Sequence, residues 1–174
     1  MDRTQNRLAP GPDGAEIRPA NAADGAGLRD FLARLSVRTR VLRFFAPITP
    51  TAAMLRRLAG EPASVDAVVA VRGGVIIGHG MAVDQAEPSG DPATDIGVVV
   101  ADAWQSRGVG SALMRTLISR AQARGVTSLQ MDVLYDNHRV RSMIARHWTE
   151  MRTDCSADCI TVQVPLPQPR RQAA

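Results

Sequence analysis

The run Val98-Val99-Val100-Ala101-Asp102-Ala103-Trp104-Gln105-Ser106-Arg107-Gly108-Val109-Gly110 joins an apolar strand to a Gln-x-x-Gly-x-Gly turn, and a helical pattern begins at once after it. A turn of this kind gathers backbone N–H groups at the positive end of a helix dipole, a ready site for phosphate. Gly108 and Gly110 matter there because a side chain would keep a bulky diphosphate from closing on the backbone. The chemistry implied is anion binding by main chain. The loops that compete for this reading lack their marks: no Gly-Lys-Ser/Thr follows for a nucleoside triphosphate, and no third glycine with a downstream acidic residue for a dinucleotide.

The elements that must hold this turn are readable around it. Leu113, Leu117 and Ala121 lie four apart on one helix face, Met114 and Ile118 widen it, and Gly125 ends it after Arg124. A second strand runs from Ser128 to Val133, and Asn137 opens another helix. Upstream, Asn21 or Asp24 can cap a helix carrying Leu28, Phe31, Leu32 and Leu35. Thr49-Pro50 suits a helix start, with Met54, Leu55 and Leu58 facing inward and Gly60 ending it. Val65–Val71 and Val75–Val83 form a hairpin around Arg72-Gly73-Gly74, and a polar loop, Asp84 to Ala93, leads into the strand from Thr94 to Val100.

Strand, turn, helix, second strand and Asn137 together resemble the acetyl-CoA-binding motif of the GNAT superfamily of N-acetyltransferases, whose pattern is Gln/Arg-x-x-Gly-x-Gly/Ala after an apolar strand. The resemblance covers residues 17 to 164, with Ile17 to Pro19 similar to the family's short first strand. It implies an α/β (α+β) GNAT fold: a mixed, twisted central sheet with helices on both faces. From Ile17 the expected order is strand, two helices, three strands, helix, strand, helix and two closing strands. The expected division is a flexible tail over 1–14, one acetyltransferase domain over 15–164, and a second flexible tail over 165–174. The segment Leu35-Ser36-Val37-Arg38-Thr39-Arg40-Val41-Leu42-Arg43-Phe44-Phe45 resembles a stretch of the bacterial branch related to protein lysine acetyltransferases, while also reading as an amphipathic connector that buries Leu42, Phe44 and Phe45.

The resemblance assigns roles. Acetyl-CoA is the implied cosubstrate, its diphosphate on Gln105, Ser106, Arg107, Gly108, Val109 and Gly110, with Ser111 adding a hydroxyl. The pantetheine arm would run along Val98, Val99 and Val100, with Asn137 bonding its amide; a plain helix cap is the other reading of Asn137. A backbone N–H beside Val99 or Val100 is the implied oxyanion donor. Asp95 stands where many relatives carry glutamate and is the first choice of general base, acting through an ordered water; Asp84 and His79 are its rivals. The family's tyrosine general acid is replaced by Ile144, and the single tyrosine, Tyr135, lies before Asn137. His147-Trp148 stands where relatives have Gly then Phe.

The reading is therefore direct transfer of an acetyl group to a primary amine in a ternary complex, with a protein lysine as one acceptor. A small amine (polyamine or antibiotic) is the alternative, and a catalytically weak acyl-CoA sensor is a further one. Acidic residues Asp84, Glu87 and Asp91 could draw a cationic amine or form an ordinary solvated loop.

Composition bounds the rest. The 174 residues are 45% hydrophobic, enough for one α/β core. No apolar run is long enough to span a bilayer and no signal-peptide layout opens the chain, so a cytoplasmic location away from membranes is expected. All 21 basic residues are arginine, dispersed and with 3% aromatics, which argues against a nucleic-acid partner. Cys155 and Cys159 are expected as free thiols, no metal site is foreseen, and a homodimer is a conceivable assembly.

Overall fold

The computed structural model describes residues 9–86 and 91–167 of the chain. An eight-stranded mixed sheet runs β1 (Ala9–Pro10), β2 (Glu16–Pro19), β3 (Val65–Arg72), β4 (Val75–Ala86), β5 (Pro92–Val100), β6 (Ser128–Leu134), β8 (Cys159–Pro165) and β7 (Arg152–Cys155) in spatial order. All neighbours are antiparallel except β5 and β6. Helices α1 (Gly25–Arg34), α2 (Val37–Phe44) and α3 (Ala52–Leu58) lie between β2 and β3, α4 (Val109–Ala123) between β5 and β6, and α5 (His138–His147) between β6 and β7.

Alternation along the strands sorts the core into two layers. Val69 and Val99 pack with Leu28, Phe31, Leu32, Leu55 and Leu58 under α1 and α3. Val68, Ile96, Leu129 and Val133 pack with Leu113, Leu117 and Ala121 of α4 and Ile144 of α5 on the opposite face. The face read from the sequence for α4 is thus the buried one, and α4 lies so close to the sheet that a Cβ at Gly80 would stand 2.8 Å from Leu117 Cδ1.

Several expectations change. Three helices, not two, separate β2 from β3, because Ser36 accepts from Thr39 N and starts α2 inside the segment read as a connector. In that segment Leu42 and Phe44 are half-buried, while Phe45 is exposed rather than packed. Helix α3 is capped by Thr51, whose hydroxyl accepts from Met54 N at 3.2 Å, so Pro50 precedes the cap instead of opening the helix. Within the polar loop expected over 84–93, Asp84 to Ala86 extend β4 and pair with Pro92 to Thr94 of β5; Glu87 lies outside the described residues. Ala9–Pro10, placed by the sequence in a tail, pair with β2, and Leu166 donates its N–H to Thr127 O just beyond β8. Among the described residues no helix is long and apolar enough to cross a membrane.

The arrangement that matters for function is at the centre of the sheet. Strands β5 and β6 pair only through Ala93↔Ser128, Thr94↔Leu129 and Asp95↔Gln130. Beyond Asp95 the β5–β6 ladder stops, while β5 remains paired to β4 as far as Val100↔Gly78. A cleft therefore opens on one edge of β5.

Candidate functional site

The direction of the β5 peptide groups follows from two hydrogen bonds. Ala101 donates its N–H to Ile77 O of β4, and Pro92 O accepts from Thr127 on the β6 side. Strand alternation then turns the N–H groups of Ile96, Val98 and Val100 into the cleft and that of Val99 toward β4. Of the two donors proposed around Val99 and Val100, the geometry places Val100, with Val98, on the open edge. This edge can take a further extended amide chain as an added strand would.

At the mouth of the cleft the chain turns into α4. Gly108 is its N-cap with φ 80°, a conformation that favours glycine, and Ser106 precedes it at φ 65°. The first bond of the helix is Ala112 N to Gly108 O, so the N–H groups of Val109, Gly110 and Ser111 precede the ladder and face the turn. A Cβ at Gly110 would make only ordinary contact with Val100, so the bare backbone there serves approach from outside more than packing. Arg139 of α5 donates to Ser106 Oγ at 2.7 Å, adding a cation that the sequence reading did not single out. Arg107 lies 5.2 Å over the Trp104 ring and 3.7 Å from Asp13. The turn thus combines an N-terminal helix dipole, exposed N–H groups and two arginines, which fits a diphosphate.

Gln105 has a more local part. Its Nε2 donates to Val100 O and Thr39 Oγ1, both at 3.2 Å, tying the turn back to the end of β5 and to α2. Asp102 completes that tie: it accepts from Ser36 N, Ser36 Oγ and Thr39 Oγ1 at 2.7–3.0 Å. Burial pushes the Asp102 carboxyl up, but these hydrogen bonds from Ser36 and Thr39 outweigh it and hold it below the usual range. The Ser-x-x-Thr of the 35–45 segment therefore docks α2 against the turn. Asn137 caps α5, its Oδ1 accepting from Val140 N at 3.3 Å.

Three groups were candidate bases. His79 is fully buried, its Nε2 donates to Leu58 O at 2.8 Å, and burial together with the charge of Arg43 brings its pKa down to about 4. It is neutral near pH 7 and sealed from the cleft. Asp84 is held by Arg124 through paired bonds of 2.8 and 2.9 Å; burial raises its carboxyl, and the bonds from Arg124 bring it below the ordinary value. Arg124 also binds Asp66, to which Arg120 donates, so Asp84 belongs to an ion cluster bracing β3 and β4 against α4. Asp95 differs from both. It is half-buried at the point where the β5–β6 ladder ends, and burial, then the charge of Asp132, push its carboxyl above the usual range despite the opposing pull of Arg43 and Arg57.

Tyr135 lies partly exposed after β6, with Arg141 5.9 Å from its ring. The neighbouring Cys155 raises its hydroxyl above the ordinary value. Ile144, at the position of the family tyrosine, is buried in the core. Cys155 and Cys159 are free thiols flanking the β7–β8 turn, and among the described residues no cluster of His, Cys, Asp or Glu could hold a metal ion.

Two further residues emerge only in three dimensions. The guanidinium of Arg43 lies flat over Gly97, where a Cβ would meet Cζ and an Nη at 2.4 Å. An isolated glycine within a strand is the sequence signal of such a close approach.

Comparison with known proteins agrees with this geometry. Residues 35–147 match the family model described as acetyltransferase (GNAT) family. Among solved structures, the GNAT domain of S. lividans PAT superposes with a TM-score of 0.82 at 22% identity, covering 95% of this chain and 99% of that one. The yncA structure from Salmonella typhimurium, solved with its cofactor acetyl-CoA, gives 0.68 at 17%, covering 92% and 98%. The ribosomal-protein-S18-alanine N-acetyltransferase from Escherichia coli gives 0.62 at 15%, covering 92% and 99%. No curated protein sequence matches the chain.

Proposed function

Because the chain belongs to the GNAT acetyltransferase family, we propose that it is an acetyl-CoA-dependent enzyme that moves the acetyl group directly to a primary amine. The observation carrying this reading is the cleft itself: a one-sided opening of β5 that begins at a half-buried carboxylate and ends at the α4 start, whose unpaired N–H groups suit an anion.

Acetyl-CoA supplies an activated thioester; the chain supplies position, a base and hydrogen-bond donors. The N–H groups at the start of α4, with Ser106, Arg107 and Ser111, hold the diphosphate. Val98 and Val100 offer N–H groups along the open edge of β5 to the pantetheine amides, with Asn137 across the cleft. A donor on that same edge lies where the carbonyl oxygen gains charge as the amine attacks. Asp95 receives a proton from the ammonium through water, and its raised carboxyl makes it a better base than an ordinary aspartate. Of the two protons the ammonium loses, one is released through Asp95 and the other ends on the thiol. The buried Ile144 cannot do the work of the family tyrosine, so this second proton reaches the thiolate through water.

Two acceptor classes have support: a protein lysine, from the resemblance of residues 35–45, and a small free amine. A sensor without turnover shares the binding features but makes no use of a raised carboxylate at the cleft.

Binding is tested by thermal unfolding. At a concentration of acetyl-CoA near a hundred times its Kd, stabilisation of about 2.7 kcal/mol raises Tm by roughly 5–10 °C for a domain of this size. Steady thiol release that requires an added amine then marks an enzyme. A Tm shift with no thiol release across a broad amine panel would mark a sensor instead.

A further inference from the structure

Arg43 is placed in a way that packing alone does not explain. Its guanidinium rests on the β5 backbone at Gly97, with the Phe44 ring 5.0 Å away. Its Nε is shut off from solvent with no hydrogen-bond partner, and among the described residues no carboxylate forms an ion pair with it. Enclosing a charge with unmade hydrogen bonds is costly. The cost recurs one turn earlier, where Arg40 also has an enclosed, unpartnered Nε. A leucine could cover Gly97 without this penalty.

The position explains what the charge is for. Gly97 and Asp95 lie on the same face of β5, two residues apart and about 6.6 Å along the strand. Gly97 is also beyond the last β5–β6 pair, so the guanidinium overlooks the cleft from the face opposite α4. The diphosphate cradle lies elsewhere, at the start of α4, and does not need this cation. An ammonium beside Asp95 and an anion on Arg43 would thus sit a few ångströms apart. Those are the two groups of an amino acid, whose nitrogen and carboxylate are joined to one carbon. Guanidinium binds carboxylate through two parallel N–H···O bonds.

We propose that Arg43 anchors the carboxylate of the acceptor, and that the acceptor is a free amino acid acetylated on its α-nitrogen. This rests on the direct-transfer reading and narrows it. A lysine side chain within a protein has no anion beside its amine, and a polyamine would set a second cation against Arg43. In the transfer the N–C amide bond forms, the thioester C–S bond breaks, one nitrogen proton leaves through Asp95 and the thiol carries the other.

The test compares each common amino acid with its own carboxamide as acceptor, following thiol release at saturating acetyl-CoA. Spermidine and a lysine-containing peptide complete the panel. The preferred amino acid should exceed its carboxamide by roughly 10²-fold in kcat/KM, the worth of a buried charged pair. Arg43→Gln should raise KM for that amino acid and bring the ratio near one. It should cost the carboxamide far less than the amino acid and leave the acetyl-CoA Tm shift in place, and Arg43→Lys should restore part of the preference. Equal use of acid and amide by the unmodified protein would overturn the inference, as would a preference that survives in Arg43→Gln. Faster turnover of the peptide lysine than of any amino acid would overturn it too, while leaving direct transfer intact. Thiol release with no amine in the panel would sink both.

Discussion

Asp95→Asn lowers turnover by roughly 10²–10⁴-fold, the span of a lost general base, with the largest loss at the acid end of the pH range. The sign follows from the competing proton. At low pH almost all of the amine is protonated and transfer waits on a base; as pH rises the free amine appears unaided, and the deficit shrinks. The same substitution should not weaken the fold at neutral pH. The carboxyl of Asp95 is raised by burial and by Asp132, so its ionised form is disfavoured in the folded chain. Any stability it contributes is present below its unfolded pKa and lost as pH climbs through the folded one. At pH 7 a neutral amide is therefore equal or better for stability. Asp84→Asn should behave oppositely: it breaks the paired bonds to Arg124, so it lowers Tm and leaves turnover intact. Rates across pH and melting curves for the two variants check both halves. Normal turnover in Asp95→Asn with a loss in Asp84→Asn would reverse the assignment.

Gly108→Asp removes the Tm rise caused by acetyl-CoA while the chain still folds. The residue has φ 80°, and aspartate tolerates that region better than most side chains. What the substitution adds is a negative charge at the N-cap of α4, on the side of Pro12, where it repels the diphosphate. The expected loss of affinity is about 10²-fold, in line with charged hydrogen bonds forfeited at such a site. Gly108→Asn shares the backbone demand without the charge and should retain a measurable part of the shift. Equal losses in the two variants would mean that geometry, not charge, governs the turn.

How much of this was legible in advance depended on how local the cause is. The α4 face of Leu113, Leu117 and Ala121 follows from spacing, and the glycine turn from its own backbone needs, so both were readable. The start of α3 lies beyond the expected Thr49-Pro50 because the hydroxyl of Thr51 reaches Met54 N, a contact that exists only once the turn has folded. The cleft was invisible as such: whether a parallel ladder stops at Asp95↔Gln130 depends on how two strands distant in sequence diverge. The tie of Ser36 and Thr39 to Asp102 likewise joins segments with no sequence relation. Gly97 carried a signal, a glycine within a strand, but nothing local named Arg43 as the group that fills the space.

The central claim, direct transfer, is tested most directly by quenching the reaction of the chain, acetyl-CoA and an accepted amine at successive times and weighing protein and amine together. The chain has no lysine, so background acetylation is confined to the N-terminal amine. The account predicts that the amine gains one acetyl group for each thiol released. The protein should stay at its starting mass or carry at most one stable acetyl group, removable with the N-terminal peptide. An acetyl group on Cys155 or Cys159 that is lost on mild hydroxylamine treatment, and that forms and decays as fast as the amine is acetylated, would contradict it.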